Sequence, residues 1–108
     1  MLDMNINVPN KKLEKILKSE KNIKKAYNML SQRIMMRINT LQTVENLSLV
    51  PTDKPERCHL LDGNYKGCYA VCIDSNWRII IKPRGYEMPY DKSIIKEIDI
   101  IDIVDYHN

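Results

Sequence analysis

The apolar residues between positions 23 and 44 recur at steps of three and four, which is the spacing of one face of an α-helix. They are Ile23, Ala26, Tyr27, Leu30, Ile34, Ile38, Leu41 and Val44. A shorter apolar stripe lies within residues 11–19, and Asn10 before it is a residue type that caps helix N-termini. The first half of the chain therefore predicts two helices, of which the second is long.

The second half of the chain is rich in β-branched and aromatic residues, and a loop with two prolines over residues 48–57 separates it from the helices. One short alternating run comes before the helices. The predicted strands are residues 3–8, 58–61, 68–73, 77–82 and 94–104. Short turns within this half predict antiparallel hairpins, and apolar residues on both alternating faces predict an interior position for the last strand.

The resulting order, β-α-α-β-β-β-β, is typical of an α+β fold. We expect two N-terminal helices packed on one face of a four- to five-stranded, mostly antiparallel sheet. The length of 108 residues, with 44% hydrophobic and 29% charged residues, predicts one globular domain over residues 1–108. No apolar run approaches the roughly 18 residues that cross a bilayer, and the first residues do not resemble a secretory signal. We therefore expect a cytoplasmic protein with no membrane association.

Three cysteines, Cys58, Cys68 and Cys72, are an odd number without a disulfide pattern, as expected in a reducing compartment. His59 beside Cys58 raises the question of a zinc site. On one strand, however, Cys68 and Cys72 would lie about 13 Å apart, too far to share one ion. We expect buried neutral thiols, no metal and no cofactor.

The positive charge is concentrated in the first part of the chain. Residues 1–40 carry nine Lys and Arg against three acids, whereas residues 41–108 carry eight against eleven. Much of the excess lies in seven lysines: Lys11, Lys12, Lys15, Lys18, Lys21, Lys24 and Lys25. Such a cluster is either a solvated face that keeps the protein soluble or a surface for nucleic-acid phosphates.

Four side chains capable of acid–base or phosphate chemistry fall at predicted strand ends: His59, Arg78, Tyr106 and His107. Each also has an ordinary structural interpretation. Tyr106 can cap the core, Arg78 can pair with Asp74 or Asp99, and the penultimate His107 can be frayed.

In combination, these residues resemble a known family. The stretch ERCHLLDGNYKGCYAVCIDSNWRIII from Glu56 to Ile81 and the terminal IDIVDYHN resemble the HigB branch of the RelE-type toxins. The shared features are a His-x-Leu-x-Gly turn, a following Gly, a Trp-Arg pair that opens a strand and a closing Asp-Tyr-His. They are distributed over residues 56–107, and the helical half is compatible with the family without being diagnostic.

The resemblance implies a toxin of a type II toxin–antitoxin system, a ribosome-dependent endoribonuclease that cleaves mRNA without a metal and inhibits translation. It implies a RelE-like fold and catalytic roles for His59, Arg78, Tyr106 and His107. RNA or ribosome contacts are expected at Lys66, Asn76, Lys82, Lys11, Lys12, Lys15 and Lys18. The expected partners are the ribosome, mRNA and a HigA-type helix-turn-helix antitoxin. Operator DNA would be bound only through the complex with that antitoxin.

The residue types suit cleavage by the RNA 2′-hydroxyl, because histidines exchange protons near neutrality and an arginine stabilises charge on the phosphate. Two features depart from the family. Asp62 stands where members often carry lysine, so either Lys66 takes the role of that lysine or cleavage is slower. The segment 83–93 is longer than the usual hairpin connection of the family. The alternatives are a ParE-like gyrase-inhibiting toxin and an inactive homologue that acts by binding only.

Overall fold

The computed structural model describes residues 3–106 and shows an α+β fold in which three helices cover one side of a five-stranded sheet. His107 lies outside the described residues. The helices are α1 (Lys11–Leu17), α2 (Glu20–Tyr27) and α3 (Ser31–Thr43). As predicted, Asn10 caps α1, and its side-chain oxygen accepts a hydrogen bond from the Leu13 backbone N–H.

The prediction of one long helix over residues 23–44 is wrong, because the structure divides this region into α2 and α3. Asn28 adopts a positive φ of 50°, which asparagine tolerates better than most residues, and a 3₁₀ turn over Asn28–Leu30 follows. The apolar spacing continues across this turn, so Ile23 and Ile34 still reach the same core. Periodicity therefore predicted the buried face but not the break.

The sheet has the strand order β1-β5-β4-β3-β2. Its strands are β1 (Asn5–Asn7), β2 (His59–Leu60), β3 (Tyr69–Cys72), β4 (Trp77–Pro83) and β5 (Glu97–Asp105). The pair β1–β5 is parallel, and the other three pairs are antiparallel. The last strand was predicted to be central in the sheet and buried on both faces. β5 does lie between β1 and β4, but it is second from the edge, and only its helix-facing residues are buried while the other face is half-buried.

The two faces of the sheet carry different apolar clusters. The larger cluster joins the helices to the sheet and includes Ile34 and Leu41 from α3 with Ile79 and Ile98 from the strands. The smaller cluster lies on the other face. Its buried members are Leu61, Cys68, Ala70 and Ile80, and Tyr65, Ile101, Val104 and Tyr106 pack against it. We call this second surface the open face, because the helices pack on the opposite side.

An irregularity in β5 changes which of its residues face the helices. Ile81 pairs with Ile100 while Ile80 pairs with Asp102, so Ile101 is an extra residue in the ladder. Because a bulge reverses the alternation of side chains, Ile100 and Ile103 both face the helices, while Ile101 contacts the smaller cluster.

The long connection over residues 83–93 folds back against the sheet. The Tyr90 hydroxyl donates a hydrogen bond of 2.8 Å to the Gly67 carbonyl, and the Tyr90 ring lies 5.8 Å from the Tyr69 ring. The Tyr86 hydroxyl donates to the Ile94 carbonyl at 2.9 Å. The Tyr90 contacts hold the segment beside β3, and the Tyr86 contact joins it to the residues that follow it. No helix within residues 3–106 is long and apolar enough to cross a membrane.

Candidate functional site

The strand register places two of the predicted catalytic residues, His59 and Arg78, on the open face. His59 lies opposite Ala70, Ala70 lies opposite Ile80, and Arg78 is two residues from Ile80 on β4. Since opposite residues share a face and successive residues alternate, His59 and Arg78 project to the same side. Their Cα atoms lie roughly 12 Å apart, two strand spacings across and two residues along.

Tyr106 reaches the open face from the end of β5. Its backbone N–H donates to the Asn76 carbonyl at 2.9 Å, which ties it to the turn between β3 and β4. Its ring packs edge-on against Tyr65, with 5.9 Å between ring centroids. Burial, followed by the charge of Asp102, raises the pKa of the Tyr65 hydroxyl. This aromatic pair was not predicted, because nothing in the local pattern connects positions 65 and 106.

The Arg78 guanidinium is buried and is bound mainly by its own turn. Nη1 donates to the carbonyls of Asp74 at 2.8 Å and Trp77 at 3.1 Å, and Nη2 donates to the Ser75 carbonyl at 3.1 Å. Nε has no hydrogen-bond partner among the residues of the range 3–106. The contact with Asp74 therefore uses a backbone carbonyl rather than an ion pair, and Asp99 pairs with Arg84 instead.

His59 has one ring nitrogen bound and the other buried. Nδ1 lies 2.6 Å from the Arg57 carbonyl oxygen. Because a carbonyl can only accept, Nδ1 carries the proton, and in the neutral ring Nε2 carries the lone pair. Nε2 has no partner within the described part of the chain. The backbone carbonyl of Arg57 thus fixes the tautomer and makes Nε2 the basic nitrogen of the neutral ring.

A cationic cavity of about 480 Å³ lies beside Arg78, between α3, the loop before β2 and the β3–β4 turn. Its cationic lining residues are Arg33, Arg37, Lys54, Arg57 and Arg78. The lining also includes one carboxylate, Asp74, which accepts hydrogen bonds from the backbone N–H groups of Asn76 and Trp77. The Trp77 hydrogen bond is the main cause of a lowered Asp74 pKa. Of the predicted catalytic residues within the range 3–106, only Arg78 lines this cavity, and His59 and Tyr106 do not.

Sequence analysis missed four of these five cationic residues. Arg33 and Arg37 are spaced by one helical turn on α3, a weak signal because most such pairs lie on a solvated face. Arg37 is instead buried and donates from Nε to the Cys72 carbonyl at 2.7 Å. Only the packing of α3 against the end of β3 shows that these side chains belong to a site.

The predicted RNA-contacting residues divide into two groups. Lys66, Asn76 and Lys82 are exposed around the open face, and Lys82 is close enough to Cys68 for its charge to lower the pKa of that thiol, which burial raises more strongly. The other group comprises Lys11, Lys12, Lys15 and Lys18. These lysines are exposed along α1, which packs in the helical layer through Leu13. The structure therefore does not bring them together with His59 and Arg78.

A scan against protein-family models, a search of curated proteins and a search of solved structures each found no match to the chain.

Proposed function

We propose that the protein is a HigB-like toxin with a RelE-like fold that cleaves mRNA on the ribosome. The observation that carries this proposal is the placement of His59, Arg78 and Tyr106 on one sheet face beside a cavity rich in cationic side chains. An RNA phosphodiester needs both kinds of group, acid–base residues for its protons and cations for its charge. Since ribosomes are its site of action, the proposal includes a cytoplasmic location.

The proposed reaction is a transfer within the RNA strand. A base removes the proton of the 2′-hydroxyl, and the 2′-oxygen forms a bond to the adjacent phosphorus. The bond from phosphorus to the 5′-oxygen breaks, and an acid protonates that oxygen. The products are a 2′,3′-cyclic phosphate and a 5′-hydroxyl, so no water is consumed in this step.

The hydrogen bond from His59 Nδ1 to the Arg57 carbonyl supports Nε2 as the basic nitrogen, because the lone pair resides there. Nε2 is buried in the free protein, so this role requires a movement that exposes it when RNA binds. His107 is then the proposed acid. The buried positive charge of Arg78 is proposed to stabilise the negative charge that develops on the scissile phosphate. Tyr106 offers an aromatic edge for a base or a hydroxyl for the phosphate.

One observation favours a second candidate, an inactive homologue that acts by binding only. Three of the hydrogen bonds that Arg78 offers go to backbone carbonyls of its own turn, and the exposed Asp62 places a negative charge near the open face. Both features reduce the attraction for phosphate. A binding-only protein would keep its partners and the cavity while transcripts remain intact.

The decisive experiment is mapping of transcript 5′ ends after brief induction of the wild-type chain, His59→Gln and His107→Gln. The wild type is expected to produce new ends inside translated regions, and each variant to reduce them by about 10²–10⁴-fold. Gln42→Ala, an exposed change on α3, serves as the control that keeps full activity. Cleavage at the wild-type level by both histidine variants contradicts the assignment of these residues. Intact mRNA after induction of the wild type supports the binding-only candidate. DNA damage that precedes mRNA loss in the wild type supports a ParE-like toxin.

The proposal also includes a helix-turn-helix antitoxin as the cognate partner. We expect a small adjacent reading frame that encodes a helix-turn-helix protein. Its product should copurify with the chain and restore growth. A chain that arrests growth but is neutralised by no neighbouring product contradicts this part of the proposal.

A further inference from the structure

The charges around the cationic cavity are not balanced by ion pairs. Five cationic side chains and one carboxylate, Asp74, line it. Arg37 and Arg78 are each only 6% exposed, yet the one ion pair formed between residues of the range 3–106 is Arg84–Asp99, outside the cavity. Buried charges are normally paired, because their removal from water is costly.

The arrangement of these groups matches an anion with several acceptor oxygens. Arg33 and Arg37 approach from α3, Arg57 from the loop before β2, and Arg78 from β4. Guanidinium groups donate paired, directed hydrogen bonds that fit phosphate oxygens. The unpartnered Nε of Arg78 is a buried donor among these lining residues that a bound phosphate can satisfy.

The cavity adjoins the candidate catalytic residues through two of its own members. Arg78 belongs to both sets, and the Arg57 carbonyl holds the His59 imidazole. A strand whose scissile phosphate lies on the open face would therefore bring a neighbouring phosphate toward the cavity.

We propose that this cavity is a subsite for a backbone phosphate flanking the scissile bond, with Arg33 and Arg57 as substrate-binding residues. The inference rests on the proposed function for the identity of the bound strand as the RNA that is cut. It adds residues from α3 and from the loop before β2 to the RNA-binding surface, which is otherwise restricted to the sheet and α1.

The test uses Arg33→Gln and Arg57→Gln, singly and together, because both side chains are exposed and their loss should leave the fold intact. Lys96→Gln removes an exposed positive charge from another part of the surface and is the matched control. The probes are a short single-stranded RNA made non-cleavable by 2′-O-methylation, and ribosomes programmed with a message carrying the same modification. Binding is measured by fluorescence anisotropy over a series of salt concentrations.

The double variant is expected to bind about tenfold or more weakly. The slope of log K against the logarithm of the salt concentration should become shallower by about 0.7 for each phosphate that the protein no longer neutralises. With a cleavable message, KM should rise while kcat stays near the wild-type value. Lys96→Gln should match the wild type in both assays.

Unchanged affinity and salt dependence in the double variant overturn the subsite, as does a wild-type chain that binds neither probe. Equal losses on programmed and message-free ribosomes overturn the assignment to the substrate strand, since the phosphate would then belong to ribosomal RNA. A wild type that cleaves nothing but binds RNA through these arginines refutes the nuclease and retains the phosphate subsite. If the wild type cleaves mRNA and the double variant binds RNA as well as the wild type, the subsite is refuted and the proposed nuclease function is retained.

Discussion

Nε of Arg37 on α3 donates a hydrogen bond of 2.7 Å to the carbonyl of Cys72 at the end of β3. Both residues are buried, so this bond connects the helical layer to the β3–β4 hairpin in a region with little access to water. It also positions one wall of the cationic cavity. The same side chain therefore contributes both to stability and to the proposed phosphate subsite.

Replacement of Arg37 by Met should destabilise the protein, because the buried Cys72 carbonyl loses its donor. We expect the free energy of unfolding to fall by about 2–3 kcal/mol, and by less in Arg37→Lys if the ammonium reaches the same carbonyl. Urea denaturation measures both values. Arg33→Gln, one turn earlier and exposed, is the control, and an Arg37→Met variant as stable as that control would contradict the role given to this bond.

Replacement of Arg78 by Ala should also destabilise the protein, by about 2–4 kcal/mol, because three backbone carbonyls of one turn lose a charged donor. Loss of toxicity in Arg78→Ala is consequently not a measure of chemistry alone. Thermal melting of Arg78→Ala beside Lys82→Ala, an exposed change on the same strand, separates the two effects. Equal melting temperatures would show that the turn does not depend on this guanidinium.

Stability should decline at alkaline pH through Cys58. Burial raises the pKa of the Cys58 thiol from 9.0 to about 11, so the folded state favours the protonated form. Its contribution is complete below pH 9 and is lost as the pH rises toward 11. The free energy of unfolding, measured between these limits, should fall more steeply in the wild type than in Cys58→Ala. Parallel profiles would contradict this contribution.

Asp62 offers a test of the proposed function that does not perturb the core. It is exposed and precedes the 3₁₀ turn Gly63–Tyr65, where the resembled family often carries lysine. Asp62→Lys should increase affinity for programmed ribosomes by about tenfold at low salt, with Asp62→Asn intermediate, because repulsion of phosphate is replaced by attraction. Glu87→Lys, an exposed change in the connection between β4 and β5, controls for net charge. A similar gain in both lysine variants would mean that position 62 has no specific role.

Local patterns were sufficient for most of the elements. The alternation of β-branched residues predicted β4 over residues 77–82, which the structure extends by one residue to Pro83. The helix break at Asn28 and the bulge at Ile101 were not predictable in this way, because each leaves the apolar spacing interpretable as a regular element. Both depend on how an element meets its neighbours.

The candidate site shows the same division. The residue types and spacing of the amino-acid sequence were enough to indicate the α+β class and the apolar face that each helix buries, whereas the residues proposed to act on RNA came from the family resemblance. The class and the apolar faces are properties of residues close together in the chain, where hydrophobic periodicity and side-chain chemistry act directly. Tertiary structure alone determined that Arg33, Arg57 and Arg78 surround one cavity, because strand register and helix packing join segments that are distant along the chain. It also determined that Arg57 orients His59, since backbone carbonyls have no signature in a sequence.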